Sequence, residues 1–153
     1  MNLKVNALLD PGFMPMSVVL RDYKEKVAAA AHEPLVIGIV RNKGYVSAYQ
    51  IDIFADGTGH DEENCRLIER IVKTMLWVKG GYKVIIAGSK TVYDAVAAAY
   101  CKGGKREFDA DFMARVYEKP FEVEYRTIEN APQTQESAAP VGRHLDGCRI
   151  GFD

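Results

Sequence analysis

Four consecutive residues, Gly88, Ser89, Lys90 and Thr91, have the types that bind an anion at the start of a helix. They follow an apolar run, residues 82–87, and lead into a helix-forming segment. Free backbone N–H groups at a helix N-terminus bind anions, and Lys90 would add positive charge. However, Ser89 and Thr91 are also common N-cap residues, and the glycine spacing of a phosphate loop is missing. The pattern favours ordinary capping, with a small-anion or nucleotide site as the alternative.

Three histidines, His32, His60 and His144, are candidates for metal ligands or catalytic bases. His60 precedes three carboxylates, residues 61–63, but adjacent residues in the first turn of a helix point in different directions. Acidic residues there are expected for another reason, since the helix dipole favours them. None of the histidines stands near a cysteine or serine in a nucleophile pattern. The sequence therefore predicts no catalytic residue and no metal ligand.

Three other features have an ordinary structural interpretation beside a functional one. Glu122 and Glu124 alternate with apolar residues and share one face of a predicted strand, as two acid catalysts would, but this alternation is more typical of a solvated face. The basic loop 102–106 has the charge to contact a phosphate or an acidic partner, but most such loops are only solvated. Trp77 is the only tryptophan and is interpreted as a packing residue.

Length and composition narrow the class of protein. The chain has 153 residues, 48% of them hydrophobic, which is enough for one domain with a real core. Its formal net charge of -1 argues against a dedicated nucleic-acid binder. The three cysteines are far apart and have no metal-ligand spacing, so we interpret them as reduced thiols. No apolar run is long enough to span a membrane, and the first residues lack a signal-peptide pattern. A cytoplasmic protein without a membrane partner is expected.

Apolar runs and helical periods alternate along the chain, which predicts an α/β fold, with α+β as a variant. The sheet should be mixed, because a hairpin precedes the first strong helix. A strand at 3–9 and a helix at 18–31 are predicted first. They are followed by a β-hairpin (35–40 and 45–54), a helix (61–79), a strand (82–87), two helices (92–100 and 109–119), a strand (121–127), and then a linker and a terminal strand.

The strongest periodic signal lies in the predicted helix 61–79. Apolar residues recur there at the spacing of one helical face, and Gly80 follows the helix as a stop signal. This stripe is expected to be part of the core; its members are Ile68, Ile71, Val72, Met75 and Leu76.

Three regions are predicted from composition. Residues 1–127 form an α/β accessory domain, and residues 128–146 form a linker rich in polar residues, proline and alanine. Residues 147–153 follow a turn and are predicted to form a short strand, which either pairs backwards with the rest of the chain or opens a further domain.

Two stretches resemble the ROK family (repressor, open reading frame, kinase) of the actin-like ATPase superfamily. Residues 142–153, GRHLDGCRIGFD, resemble the first strand of its nucleotide-binding domain. That strand ends in an Asp beneath the ATP phosphates, and Asp153 would be this residue, as part of an incomplete ATP motif. Residues 108–123, FDADFMARVYEKPFEV, resemble the segment ahead of that strand.

The resemblance implies a non-catalytic N-terminal domain of a sugar kinase-like protein or a sugar-responsive transcriptional regulator. It would act in domain packing or subunit association and need no cofactor itself. ATP and magnesium would bind in a full-length protein, which could be an ATP-dependent sugar kinase. The expected partners are a downstream ATPase domain and further copies of the chain. Nucleic-acid binding by this region is not expected, because the winged helix of the classical regulators is missing.

Overall fold

A computed structural model of the chain describes residues 8–10 and 12–136, and it confirms an α/β fold with a mixed sheet. The strand order is β2-β1-β3-β4; β1 is antiparallel to β2 and β3, and β4 is parallel to β3. The strands are β1 (His32–Val40), β2 (Val46–Phe54), β3 (Lys83–Ala87) and β4 (Glu122–Arg126). The helices are α1 (Met16–Ala28), α2 (Asp61–Lys79), α3 (Lys90–Tyr100) and α4 (Glu107–Tyr117).

Helix α2 has the predicted bounds, because acidic residues open it and Gly80 closes it with a φ of 71°. Helix α1 begins at Met16 and ends three residues before the predicted position 31. Helix α4 is shifted two residues toward the N-terminus relative to the prediction. Most of the predicted strand 3–9 and the whole of the predicted strand 147–153, with Asp153, lie outside the described residues.

Strand β1 is central because it is apolar on both faces. Leu35, Ile37 and Ile39 have no exposed surface and lie on the face that the helices cover. Val36, on the other face, is also buried. Alternate strand positions and all four helices contribute to a single core; its helical members include Tyr23, Val27, Ile68, Ile71, Val72, Leu76, Val92, Val96, Ala110 and Met113.

The face of the sheet opposite the helices is crossed by the first part of the predicted linker. Residues Ile128–Asn130 form a 3-10 helix, and Pro132 is buried against Gly38. A Cβ on Gly38 would lie 2.6 Å from the Pro132 ring, so this close approach requires glycine. Gln135 then pairs with Val46 on the edge of the sheet through N–H to O distances of 2.8 and 3.0 Å. The first part of the predicted linker, residues 128–135, is thus packed on the sheet and hydrogen-bonded to it.

Among residues 8–10 and 12–136, no helix is both long enough and apolar enough to cross a bilayer.

Candidate functional site: an aromatic surface on α2 and α4

The junction between β3 and α3 contains the predicted anion site, and its geometry is that of a helix cap. Ser89 Oγ accepts a hydrogen bond from the Val92 backbone N–H at 3.1 Å. The same hydroxyl donates to the Asp56 carboxylate, whose oxygens lie 2.7 and 2.9 Å away. Gly88 has a φ of 115°, and a Cβ there would lie 2.6 Å from the Pro34 carbonyl oxygen. Both residues therefore have a structural reason to be present.

Neither Lys90 nor Thr91 is arranged to bind an anion at the start of α3. Lys90 Nζ pairs with Asp94, one turn further along α3, and lies 4.8 Å from the centroid of the Tyr93 ring. Thr91 is exposed, and its carbonyl oxygen lies 3.9 Å from Cys65 Sγ. An anion at this helix start would meet the Asp56 carboxylate, which repels it. The geometry therefore favours the capping interpretation.

The described histidines lie in structural contacts. The His60 ring stacks on Phe54 with centroids 4.0 Å apart, and His60 Nδ1 lies 3.5 Å from a Glu63 carboxylate oxygen. His32 Nδ1 lies 2.8 Å from the Ala30 carbonyl oxygen. His144 lies outside the described residues. Within the described part of the chain, no group of three histidine, cysteine or acidic side chains is arranged to hold a metal ion.

Glu122 and Glu124 lie on one face of β4, as predicted, and share the ammonium group of Lys83. Arg126 Nε donates to Glu124 at 2.6 Å. The hydrogen bonds from Lys83 and then from Arg126 lower the pKa of Glu124. The pair is therefore a neutralised charge ladder between neighbouring strands, and Glu124 is not tuned to hold a proton near neutral pH.

The basic loop before α4 is bound to the body of the domain. Arg106 Nε donates to Glu69 of α2 at 2.5 Å, and Lys105 pairs with the other oxygen of the same carboxylate. Glu69 is only 5% exposed. Burial alone would raise its pKa, but the hydrogen bonds from Lys105 and Arg106 outweigh burial and lower the pKa of Glu69. This network fixes the start of α4 against α2.

Asp109 extends the network to the only tryptophan. Its carboxylate is buried and accepts a hydrogen bond from Trp77 Nε1 at 2.9 Å. The other oxygen lies 3.9 Å from Arg106 Nη1. Because Asp109 is itself held by the helix start, the indole ring of Trp77 has a fixed orientation. The Nε1 edge of the Trp77 ring is therefore hydrogen-bonded to the body of the domain.

Beside this network lies a row of stacked aromatic rings that the core does not cover. Trp77 stacks on Phe112 with centroids 5.2 Å apart, and Phe112 stacks on Phe108 at 6.2 Å. Val116 continues the row one turn further along α4. The exposed fractions are 46% for Trp77, 39% for Phe112, 72% for Phe108 and 58% for Val116. We call these four residues the aromatic surface.

Helix α4 thus carries two apolar stripes, which explains why one remains uncovered. Ala110 and Met113 are buried and attach the helix to the core. Phe108, Phe112 and Val116, spaced four residues apart, lie on another face. The sequence predicted Trp77 to be a packing residue. This is correct only in part, because the indole bonds to Asp109 but remains 46% exposed. The signal that could have identified the surface is the presence of two stripes on a helix of 11 residues.

Comparison with family models, with curated proteins and with solved structures finds no match to this chain. The resemblance to ROK proteins therefore stays a prediction.

Proposed function

We propose that this chain is a non-catalytic α/β accessory domain that works by association. In this proposal it belongs to a ROK-like sugar kinase or sugar-responsive regulator, where it packs against a downstream actin-like ATPase domain or pairs subunits. The observation that carries the proposal is the aromatic surface, in which three stacked rings and a valine are between 39% and 72% exposed.

The energetics of exposure support an association role. Each square ångström of apolar surface removed from water contributes about 25 cal/mol, so large rings facing solvent are costly. Contiguous exposed apolar patches on soluble domains typically mark interaction sites. Tryptophan and phenylalanine are also enriched in the cores of protein interfaces, where a few such residues contribute most of the binding energy. Trp77 and Phe112 have both the type and the contact geometry of such anchors.

The polar residues singled out in the sequence support binding over catalysis. Ser89 is occupied in capping, His60 in ring stacking, and Glu124 in ion pairs. The buried carboxylates Glu69 and Asp109 hold α4 in place. Each of these groups has a structural task close to its position in the fold, whereas the aromatic surface leaves large apolar side chains facing solvent.

The fluorescence of Trp77 tests the proposal directly, since no other tryptophan contributes. Acrylamide quenching is measured on the chain over a dilution series, and again after addition of the ATPase domain that the resemblance places after Asp153. We expect quenching to fall when the chain is concentrated or the domain is added, because either partner would cover the indole. Equal quenching under all conditions would overturn the association role. Phe108→Ser is the matched variant, which should remove the protection without unfolding the domain.

The ROK assignment has a separate test in the reading frame after Asp153. A glycine pair directly after Asp153 supports the assignment, and any other sequence there removes it without affecting the association role.

A further inference from the structure

We infer that the aromatic surface binds a second copy of this chain, with α4 of one copy antiparallel to α4 of the other. The inference rests on the proposed function and identifies the partner of the same surface. It follows from the charges that border the aromatic surface.

The charges beside the apolar stripe of α4 are separated by sign. Glu107 and Asp111 lie toward the start of the helix, and Arg115 lies toward its end. All three line one shallow groove together with Phe108 and Phe112. Asp111 and Arg115 are exposed, and within residues 8–10 and 12–136 no side chain forms an ion pair with any of the three charged residues. These charges are therefore available to a partner.

An antiparallel helix pair satisfies this pattern with itself. If Phe112 lies at the two-fold axis, Phe108 of one copy comes opposite Val116 of the other, because the two positions are four residues on either side of Phe112. Arg115 of each copy then comes opposite Glu107 and Asp111 of the other. A two-fold interface uses the same patch on both copies, so every attractive contact forms twice.

A parallel pair of α4 helices would not have complementary charges. A parallel pair would bring Glu107 against Glu107 and Arg115 against Arg115, and like charges at an interface are costly. The antiparallel arrangement also places the positive end of each helix dipole beside the negative end of the other. The separation of sign along α4 therefore favours a second, antiparallel copy.

Sedimentation equilibrium with charge-reversed variants tests the inference. Arg115→Glu makes the bordering charges of α4 uniformly negative, and the double change Glu107→Lys with Asp111→Lys makes them uniformly positive. Each variant alone should dimerise roughly tenfold more weakly than the wild type or worse, because like charges now face each other. A 1:1 mixture of the two should restore dimerisation to near the wild-type level, since every contact becomes attractive again.

Two controls separate a specific effect from a general one. Lys24→Glu reverses an exposed charge on α1, which packs beside β2, and should leave dimerisation unchanged. Phe112→Ser removes the central ring and should abolish dimerisation at unchanged net charge. The far-ultraviolet circular dichroism of every variant should match the wild type, because Lys24, Asp111, Phe112 and Arg115 are exposed and Glu107 is only half-buried.

A wild-type chain that stays monomeric at high concentration would overturn the inference, as would a mixture that fails to restore dimerisation. In the monomeric case, protection of Trp77 by the downstream domain would still support the proposed function with a different partner. Absence of protection by either partner would overturn both.

Discussion

Asn64 should be one of the most sensitive positions in the domain, because its side chain joins three elements in the interior. It lies in the first turn of α2 and has no exposed surface. Its Oδ1 accepts hydrogen bonds from the Tyr23 hydroxyl at 2.5 Å and from the Phe54 N–H at 3.2 Å. Its Nδ2 donates to the Phe54 carbonyl at 2.8 Å. The amide thus closes the end of edge strand β2 and anchors α1.

Asn64→Ala removes all three bonds at once and leaves three buried polar groups without partners. These are the N–H and C=O of Phe54 and the hydroxyl of Tyr23. Each buried group left unsatisfied costs about 1–3 kcal/mol, and water entering the small space would offset part of the sum. We expect the free energy of unfolding to fall by roughly 3–5 kcal/mol, a large share of the ~5–15 kcal/mol typical of a domain.

Tyr23→Phe isolates one of the bonds. It removes a donor while the Asn64 Oδ1 still accepts from Phe54, so the expected loss is about 1 kcal/mol. Burial raises the pKa of Tyr23 to about 12. The hydroxyl group therefore remains a donor in the folded protein as the pH rises past the ordinary tyrosine pKa. Its stabilising effect should be constant up to about pH 10 and fall only above that, where the unfolded chain ionises first.

Urea unfolding of the wild type, both single variants and the double variant gives the coupling energy between Tyr23 and Asn64. We expect about 1 kcal/mol, because Tyr23→Phe should cost little once its acceptor is gone. A loss below about 1 kcal/mol for Asn64→Ala, with the urea dependence unchanged, would show that the three bonds do not hold these elements together.

Three further predictions concern the core, the open face and the ion network. Ile71→Ala should cost about 2–5 kcal/mol in urea unfolding, whereas Val78→Ala, 73% exposed on the same helix, should stay within about 0.5 kcal/mol; equal losses would contradict the assigned helix face. Gly38→Ala places a methyl group 2.6 Å from the Pro132 ring, so it should cost about 1–3 kcal/mol and speed proteolysis of the segment around that proline; unchanged cleavage would contradict the packing. Glu69→Gln should destabilise at pH 7, and the difference from the wild type should narrow as the pH falls below about 4. The reason is that the folded-state pKa of Glu69 is lowered, so its stabilisation is complete above the unfolded carboxyl pKa and is lost as the pH falls through the folded one; a gap independent of pH would contradict the ion pairing.

The sequence predicted the elements whose signals are local. Helix α2 could be bounded from its acidic first turn and its terminal glycine, because caps and dipoles act within one turn. The central place of β1 followed from its apolar residues on both faces, since only a strand covered from two sides can bury them. Helix α4 was less well bounded, because Arg106 at its start provides no side-chain cap for the pattern to reveal.

The candidate site depends on contacts that are distant in sequence, and local patterns do not encode them. Glu69 has the sequence context of an exposed helix residue, but it is buried because Lys105 and Arg106 reach it from a loop more than thirty positions away. Periodicity identified apolar stripes, yet it does not state which stripe of α4 the core covers. That choice depends on where α4 docks on α2.

The ion network of Glu69, Arg106 and Asp109 both stabilises the domain and orients Trp77 in the aromatic surface. Binding is weakened by the side-chain freedom that an interface must remove, so anchors held in place before contact bind more tightly. Trp77 is held by Asp109, Asp109 lies beside Arg106, and Arg106 is fixed by the buried Glu69. Replacing a buried ion pair of this kind with apolar residues of similar size typically changes the stability little, although removing only one partner is costly. Its presence beneath a row of exposed rings is better explained by the rigid orientation that it gives to the indole. The residues that hold α4 on the domain and those of the aromatic surface therefore form one continuous structure.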